Sequence, residues 1–479
     1  MKNIVESFLN NNNENLFCVD DLGSYTYNQA ISIAKSIACA LSKKGINKQP
    51  IMLKANRDNK TLITILAIIL SNNYYVPVNP DFSDDKIEYI IETSNIKYEI
   101  CFEESNTKTN HLFFNELIDE KINENVINNL KNNFDENNII YIIYTSGSTG
   151  KPKGVLKTQK NIISFVNNFI ATFNFNEKLN IANQAPLFFD ASMKDVYLAI
   201  TTGSTLYFPN KTLFAMPSKL IEYLNDNKIN YICWVPSALT IIVRLNTFKY
   251  IKPEYLKYVF FVGEVFMPKY LNVWIREVKG VKYANLYGST ELAGVCLYKV
   301  IESEVDECTP IPLGKPLVNN KVYLVEGEIT VESDQIATCY LNDEEKNKQV
   351  FIECDNKRIL KTGDYGYINE DNDIVFATRK DFQIKHMGYR VELQEIEIYL
   401  TALNYVSNCA VLFDSNKDKI VSFVSLNKEI ESPVKNIIND LKNKLPDYMV
   451  PNIVKVLDEL PLNANGKIDR SKLKEYVGV

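Results

Sequence analysis

Glycine is scarce in this chain, 17 of 479 residues, yet Gly147, Gly150 and Gly154 fall within eight positions. The segment reads Tyr144-Thr-Ser-Gly-Ser-Thr-Gly-Lys-Pro-Lys-Gly154 and directly follows an apolar run. Glycines let the backbone turn with positive φ and bring N–H groups close to a ligand. Ser146, Ser148 and Thr149 add hydroxyl donors, and Lys151 and Lys153 add positive charge. Together they suit an anion cradle. It is not a Walker loop, because Gly-Lys-Ser/Thr at the required spacing is absent. The only histidines are His111 and His386, which makes a His-rich metal site impossible and leaves little room for Ser–His or Cys–His nucleophilic catalysis. The nine cysteines are scattered without a C-x-x-C pair, so a zinc or redox motif has no support and a reduced, cytoplasmic setting is expected.

The elements that must carry such a loop are legible from hydrophobic spacing. Ile31, Ala34, Ile37, Ala38 and Leu41 recur at helical spacing, which predicts an amphipathic helix over 27–41. Short apolar runs at 74–78, 138–145, 231–236 and 258–262 alternate with polar helical stretches. That alternation predicts α/β layering with parallel-rich sheets. From about Ile311 the strands shorten, and after Lys380 the pattern becomes an α+β mixture. The expected organisation is a large, multi-subdomain N-terminal domain, 1–380, and a small C-terminal lid domain, 381–479. The longest apolar stretch, Leu62–Leu70, is about half a membrane span, so it reads as a buried helix and no membrane insertion is expected. The amino terminus lacks the pattern of a secretory signal. Lys+Arg number 53 against 59 Asp+Glu, a formal net charge of −6, which argues against nucleic acid as the main partner.

Further segments follow in a definite order: FFDAS (188–192), NLYGSTE (285–291), LKTGDYG (360–366), TRKDFQIKHMGYRVELQEIE (378–397), LPDYMVP (445–451) and NGKID (465–469). With the glycine-rich loop, they resemble the motif series of adenylate-forming enzymes: acyl-CoA synthetases, luciferases and nonribosomal peptide synthetase adenylation domains. The resemblance covers nearly the whole chain. It implies attack of a substrate carboxylate on the α-phosphorus of ATP, then displacement of AMP by a thiol. A carboxylate is already ionised at neutral pH, so no protein nucleophile or histidine base is required. Catalysis then rests on positioning and charge stabilisation.

Role by role, the resemblance implies that Thr145, Ser146, Gly147, Ser148, Thr149, Gly150 and Lys153 hold the β and γ phosphates. Asn285 and Tyr287 sit at the adenine, Thr290 faces the α-phosphate, and Glu291 coordinates Mg²⁺. Asp364 accepts hydrogen bonds from the ribose hydroxyls, a task suited to an ionised carboxylate. Arg379 approaches the ribose and phosphates, and Asp381 is the hinge. Lys467 reaches the α-phosphate and carboxylate, and the HMGYR segment around Gly388 lines a tunnel for a phosphopantetheine arm. With no carrier domain after Lys467, the thiol is expected from a separate acyl or peptidyl carrier protein.

Asp190 points to the substrate class. In amino-acid-activating relatives an aspartate here pairs with the α-ammonium; the competing reading is a helix N-cap. A buried carboxylate stripped of its partner costs about 3–5 kcal/mol. The rest of the acyl pocket, carried over one position at a time, is Ala191, Lys194, Cys233, Phe260, Val262, Leu286, Gly294 and Val295. Lys194 either meets an acidic substrate side chain, turns outward, or pairs with Asp195. Phe260, Val262 and Leu286 are bulky and favour a small substrate. The implied function is activation of a small or acidic amino acid. FDASMKDVY, FFVGEV and KTGDYGYI also resemble D-alanine–carrier protein ligases, although Val262 stands where those carry cysteine. An aryl- or acyl-CoA ligase and a non-catalytic AMP-binding protein are the competing readings. Departures from the family pattern are Thr378 before the hinge arginine, Ser289 in the tyrosine-glycine motif, and Ile336-Ala-Thr-Cys-Tyr340 where Ala-Arg-Gly-Tyr is usual; they are expected to alter surface loops.

Overall fold

Thr26 opens the first long helix, Tyr27–Lys43, with a capping box: its side chain accepts from the N–H of Gln29, and the Gln29 side chain accepts from the N–H of Thr26. The predicted stripe, Ile31 through Leu41, faces inward. The apolar stretch at 62–70 ends a helix, Asn59–Leu70, started by the Asp58 side chain accepting from the N–H of Thr61. That helix is buried on all sides, as expected of an all-apolar helix inside a large core. No helix among the described residues is long and apolar enough to cross a membrane. This computed structural model describes residues 3–11, 13–145, 152–354, 357–379, 383–461 and 468–476.

The chain divides into two compact units. The larger comprises 1–80, 89–144 and 154–378. It holds a nine-stranded sheet whose six central strands are parallel, in the order Lys282–Tyr287, Tyr258–Val262, Tyr231–Trp234, Asn180–Ala182, Thr205–Tyr207 and Leu16–Asp20. Its two ends are antiparallel: Gly23–Thr26 beyond Leu16–Asp20, and Leu297–Ile301 with Lys315–Pro316 beyond Lys282–Tyr287. A seven-stranded sheet runs Cys339–Tyr340, Lys153–Thr158, Ile139–Thr145, Tyr74–Val78, Pro50–Lys54, Tyr98–Cys101 and Asn110–Phe113. The expected parallel-rich α/β architecture is present. The helix Gln159–Phe173 contributes Phe165, Phe169 and Phe173 to the main core, where they meet residues of both sheets. A five-stranded sheet built from Lys321–Val325, Glu328–Glu332, Phe351–Cys354, Lys357–Ile368 and Ile374–Arg379 accounts for the shorter strands after Ile311.

The smaller unit begins at Arg379, and two short segments, 81–88 and 145–153, also group with it. The unit pairs Gln383–His386 with Tyr389–Glu392 through a tight turn in which Met387 and Gly388 both take positive φ. A three-stranded sheet, Val406–Asp414, Lys419–Leu426 and Ile453–Val456, packs with the helices Leu393–Thr401 and Pro433–Lys442 around Ile396, Val411, Val424, Ile437 and Leu441. The Tyr389 ring stacks on Tyr448, with centroids 3.7 Å apart and planes 3° from parallel.

Candidate active site

Asp190 is the first residue of the helix Asp190–Thr202; the N-cap is Phe189. Its carboxylate is therefore not the capping group. The side chain is 6% exposed and accepts from the Tyr141 hydroxyl at 2.7 Å. Tyr141 belongs to the strand Ile139–Thr145, beside Tyr75 of Tyr74–Val78, with ring centroids 5.4 Å apart. The Tyr75 hydroxyl in turn lies 3.4 Å from that of Tyr197. Burial pushes the Asp190 carboxyl up to about 6, opposed by the charge of Lys157 and the Tyr141 hydrogen bond. At neutral pH it is a carboxylate in an apolar wall, which suits a cationic partner.

The four residues after Asp190 settle one alternative. Lys194 is buried, and its ammonium donates to the Ala191 carbonyl at 2.8 Å and to Asp195 at 3.3 Å. Asn183 also donates to Asp195, at 3.0 Å. The Lys194 charge is thus satisfied within the protein by its sequence neighbour. Cys233 lies in the same cluster, its thiol pushed up to about 12 chiefly by burial. Phe260 is fully buried among Phe173, Tyr231 and Phe169, with centroids 4.5, 5.6 and 6.3 Å away. Val262, Leu286 and Val295 are buried in the same core. Gly294 takes φ +103, and a Cβ there would lie 2.5 Å from the Phe165 ring, so the close packing requires glycine.

The strand Lys282–Tyr287 delivers the second group. Asn285 donates from its side chain to the Pro312 carbonyl at 2.8 Å. The Tyr287 ring packs with Val155, Leu292 and Cys296, and its hydroxyl donates to Asp364. Asp364 sits in the strand Lys357–Ile368, 2% exposed. Thr290 and Glu291 follow, both buried. Glu291 accepts from the Tyr340 hydroxyl at 2.6 Å. A buried carboxylate oxygen is the hard donor that Mg²⁺ takes in one- or two-carboxylate sites completed by substrate phosphate, so Glu291 fits that ion.

The 336–340 segment corrects one expectation: it is not a variable surface loop. Ile336, Ala337 and Tyr340 are buried. The Ala337 N–H donates to the Glu291 carbonyl at 2.8 Å, and Tyr340 holds the Glu291 side chain. Arg358 braces the segment through the Ala337 and Thr338 carbonyls. The departure from the family pattern thus lies against the acidic group itself.

The larger unit therefore brings together two carboxylates that each carry a tyrosine donor, and separately joins Tyr287 to Asp364. Thr145 is buried and Lys153 half-buried, both grouped with the smaller unit, and Arg379 ends the strand Ile374–Arg379. Ser146, Gly147, Ser148, Thr149, Gly150, Asp381 and Lys467 lie outside the described residues. Tyr141, Tyr340 and Lys157 are not singled out by the sequence. Lys157 alone has a signal there, a charge following the otherwise apolar strand sequence 154–156. Glu99, Cys101 and His111 also place three possible ligand atoms within 4.8 Å, away from these residues in sequence. There Glu99 already accepts from Ser105, Thr107 and Thr109.

Comparison with known proteins identifies the family. The chain matches the model of the AMP-binding enzyme family over residues 5–341, and that of the AMP-binding enzyme C-terminal domain over 395–467. It is 33% identical to a D-alanine–D-alanyl carrier protein ligase of Listeria innocua, covering 90% of this chain and 89% of that protein. It is 29% identical to bacitracin synthase 1 of Bacillus licheniformis over 95% of its own length, and spans only 9% of that much longer protein. A Vibrio cholerae adenylation domain solved with glycyl-adenosine-5'-phosphate superimposes with a TM-score of 0.84 at 19% identity, covering 99% of this chain and 97% of that one.

Proposed function

Because the chain belongs to the AMP-binding enzyme family, we propose that it activates a small amino acid with ATP and passes the aminoacyl group to a carrier-protein thiol. In the first step a carboxylate oxygen of the substrate bonds to the α-phosphorus while the bond from that phosphorus to the bridging oxygen breaks. Pyrophosphate leaves. In the second, the sulfur of a phosphopantetheine arm bonds to the acyl carbon, AMP departs with the former carboxylate oxygen, and the thiol proton passes to solvent. Neither step needs a protein nucleophile.

The observation that carries this reading is the buried Asp190 carboxylate, held by Tyr141 within the acyl-pocket motif. Its charge suits an α-ammonium, which an aryl or fatty acid lacks. With the Lys194 ammonium already on Asp195, an acidic substrate side chain has less to recommend it. Packed Phe260, Val262 and Leu286 favour a small side chain. D-alanine is the first candidate, supported by the carrier-protein ligase relatives. Discrimination against one further methylene would be modest, about 1–3 kcal/mol.

In this scheme Thr145, Lys153, Arg379 and the glycine-rich loop serve the phosphates. Asp364 serves the ribose, Asn285 and Tyr287 the adenine, and Glu291 holds Mg²⁺, which would neutralise phosphate charge. Asp381 would be the pivot that lets the small domain alternate between the two half-reactions. The scatter of nine cysteines without a C-x-x-C pair and the use of ATP suit the cytoplasm.

The test is ATP–pyrophosphate exchange across both enantiomers of the amino acids, with aryl and fatty acids alongside. Exchange led by D-alanine or another small amino acid is expected. Exchange confined to an aryl or fatty acid would overturn the reading. A second prediction concerns Glu291. Tyr340→Phe removes its hydroxyl donor, and such supporting groups are worth about 10–100-fold in metal affinity. The Mg²⁺ concentration for half-maximal exchange should rise about tenfold, with the KM for the amino acid little changed. An unaltered Mg²⁺ dependence would separate Tyr340 from the metal.

A further inference from the structure

Lys157 is among the largest fully buried side chains of the protein, with 0% exposure. Its Nζ meets no hydrogen-bond partner among the described residues. A buried ammonium is costly, and it usually ends on a carboxylate. The reason for its survival lies in the sheet. The strand Lys153–Thr158 runs between Cys339–Tyr340 and Ile139–Thr145. Val155 is directly opposite Tyr340, so the two share a sheet face, and Lys157, two residues on, shares it as well. Tyr340 holds Glu291, and Tyr141 of the other neighbouring strand holds Asp190. The lysine is thus flanked by the strands whose tyrosines grip the two acidic groups.

We propose that Lys157 is a positioning residue acting through Asp190: its enclosed ammonium holds that carboxylate in the ionised form, and so makes the site prefer acids that bear an α-ammonium over the same acids without one. This rests on the reading of Asp190 as the ammonium partner. Enclosure decides between this role and direct ligand binding, because Nζ is sealed from solvent and reaches the carboxylates by charge rather than by contact. Burial lowers the Lys157 ammonium to about 8, with Asp190 and then Glu291 opposing the fall, so it is charged at neutral pH. For Asp190, Lys157 is the strongest influence opposing burial, ahead of Tyr141.

The other groups facing Asp190 do not substitute for it. Tyr141, Tyr75 and Tyr197 are all pushed up by burial and stay neutral. Glu291 raises the Asp190 carboxyl, and Lys194 acts last and is engaged with Asp195. Without Lys157 the carboxyl would titrate nearer neutrality. A tenfold rise in its proton affinity would lower its ionised fraction about tenfold wherever the protonated form prevails.

The experiment measures kcat/KM for exchange with the best amino acid and with its des-amino analogue. The full-length wild type, Lys157→Met, Asp190→Asn and the double variant are compared. At about pH 5, where the protonated form prevails, the preference for the amino acid should fall about tenfold in Lys157→Met; at about pH 7 the fall should be only about twofold. In the Asp190→Asn background Lys157→Met should change that preference no further, since residues acting through one another are non-additive. Equal loss on both acids, or an undiminished effect in the Asp190→Asn background, would reduce Lys157 to packing and overturn the proposal. Should Lys157→Met not fold, Lys157→Arg and Lys157→Gln are compared at about pH 5. The preference should hold within a few-fold in the first, which keeps the charge, and fall about tenfold in the second. Equal loss in both would overturn the proposal. Failure of the wild type to exchange with any amino acid would instead overturn the parent reading of Asp190.

Discussion

Replacing Asp190 with asparagine lowers kcat/KM for the amino acid by a factor of about 30 to several thousand, mostly through KM. That range follows from removing one partner of a buried charge pair, worth about 2–5 kcal/mol. Asparagine is nearly isosteric and can still accept from the Tyr141 hydroxyl, so the local packing survives. What it loses is the charge. The affinity for ATP should be unchanged, because Asp190 belongs to the acyl side of the reaction in this reading. Initial-rate exchange kinetics with both substrates varied, checked by ATP titration, separate the two effects. A loss in kcat/KM smaller than about threefold would correspond to a solvated pair and end the assignment of Asp190 to an ammonium.

Lys467→Ala lowers the rate of adenylate formation about 10²–10³-fold while ATP still binds. That is the usual size of losing one charge-stabilising donor aimed at a transition state. The prediction rests on the Asn-Gly-Lys-Ile-Asp sequence at 465–469 and its place after all the other motifs. Negative charge builds on the α-phosphate and carboxylate as they approach, and a lysine contributes most there. Transfer to the thiol from supplied adenylate should be much less affected, because the domain would by then have turned to present the HMGYR segment. Rapid-quench measurement of adenylate, with an equilibrium ATP titration, checks both halves. Unchanged turnover would remove Lys467 from the mechanism.

Much of this fold is legible in the residue pattern. Helical spacing marks the helix Tyr27–Lys43, and continuous apolar runs mark the strand Tyr258–Val262 and the helix Asn59–Leu70, to within a few residues. The apolar run at 231–236 overshoots its strand: Pro236 already begins the helix Pro236–Arg244, where its missing N–H costs nothing. The grouping of 81–88 and 145–153 with the smaller unit has no local sign.

The candidate site divides in the same way. The sequence alone determined the chemical class through its resemblance to the adenylate-forming motif series, whose order of glycine-rich loop, acidic residues and late lysine it follows. It also singled out Asp190, Glu291 and Asp364. Only the tertiary structure decided their partners. Lys194 had three possible fates, and a 3.3 Å contact with Asp195 chose one. Tyr141 and Lys157 lie on consecutive strands and Tyr340 on a strand far along the chain; the two tyrosines read in sequence as ordinary strand residues, and Lys157 only as a charge after an apolar run. Which face a strand residue presents depends on register, and a one-residue slip would send Lys157 to the opposite face. Register is set by pairing across long sequence separations, here Val155 with Tyr340. That is why the reaction could be read from the chain, while the charge environment that tunes it required the fold.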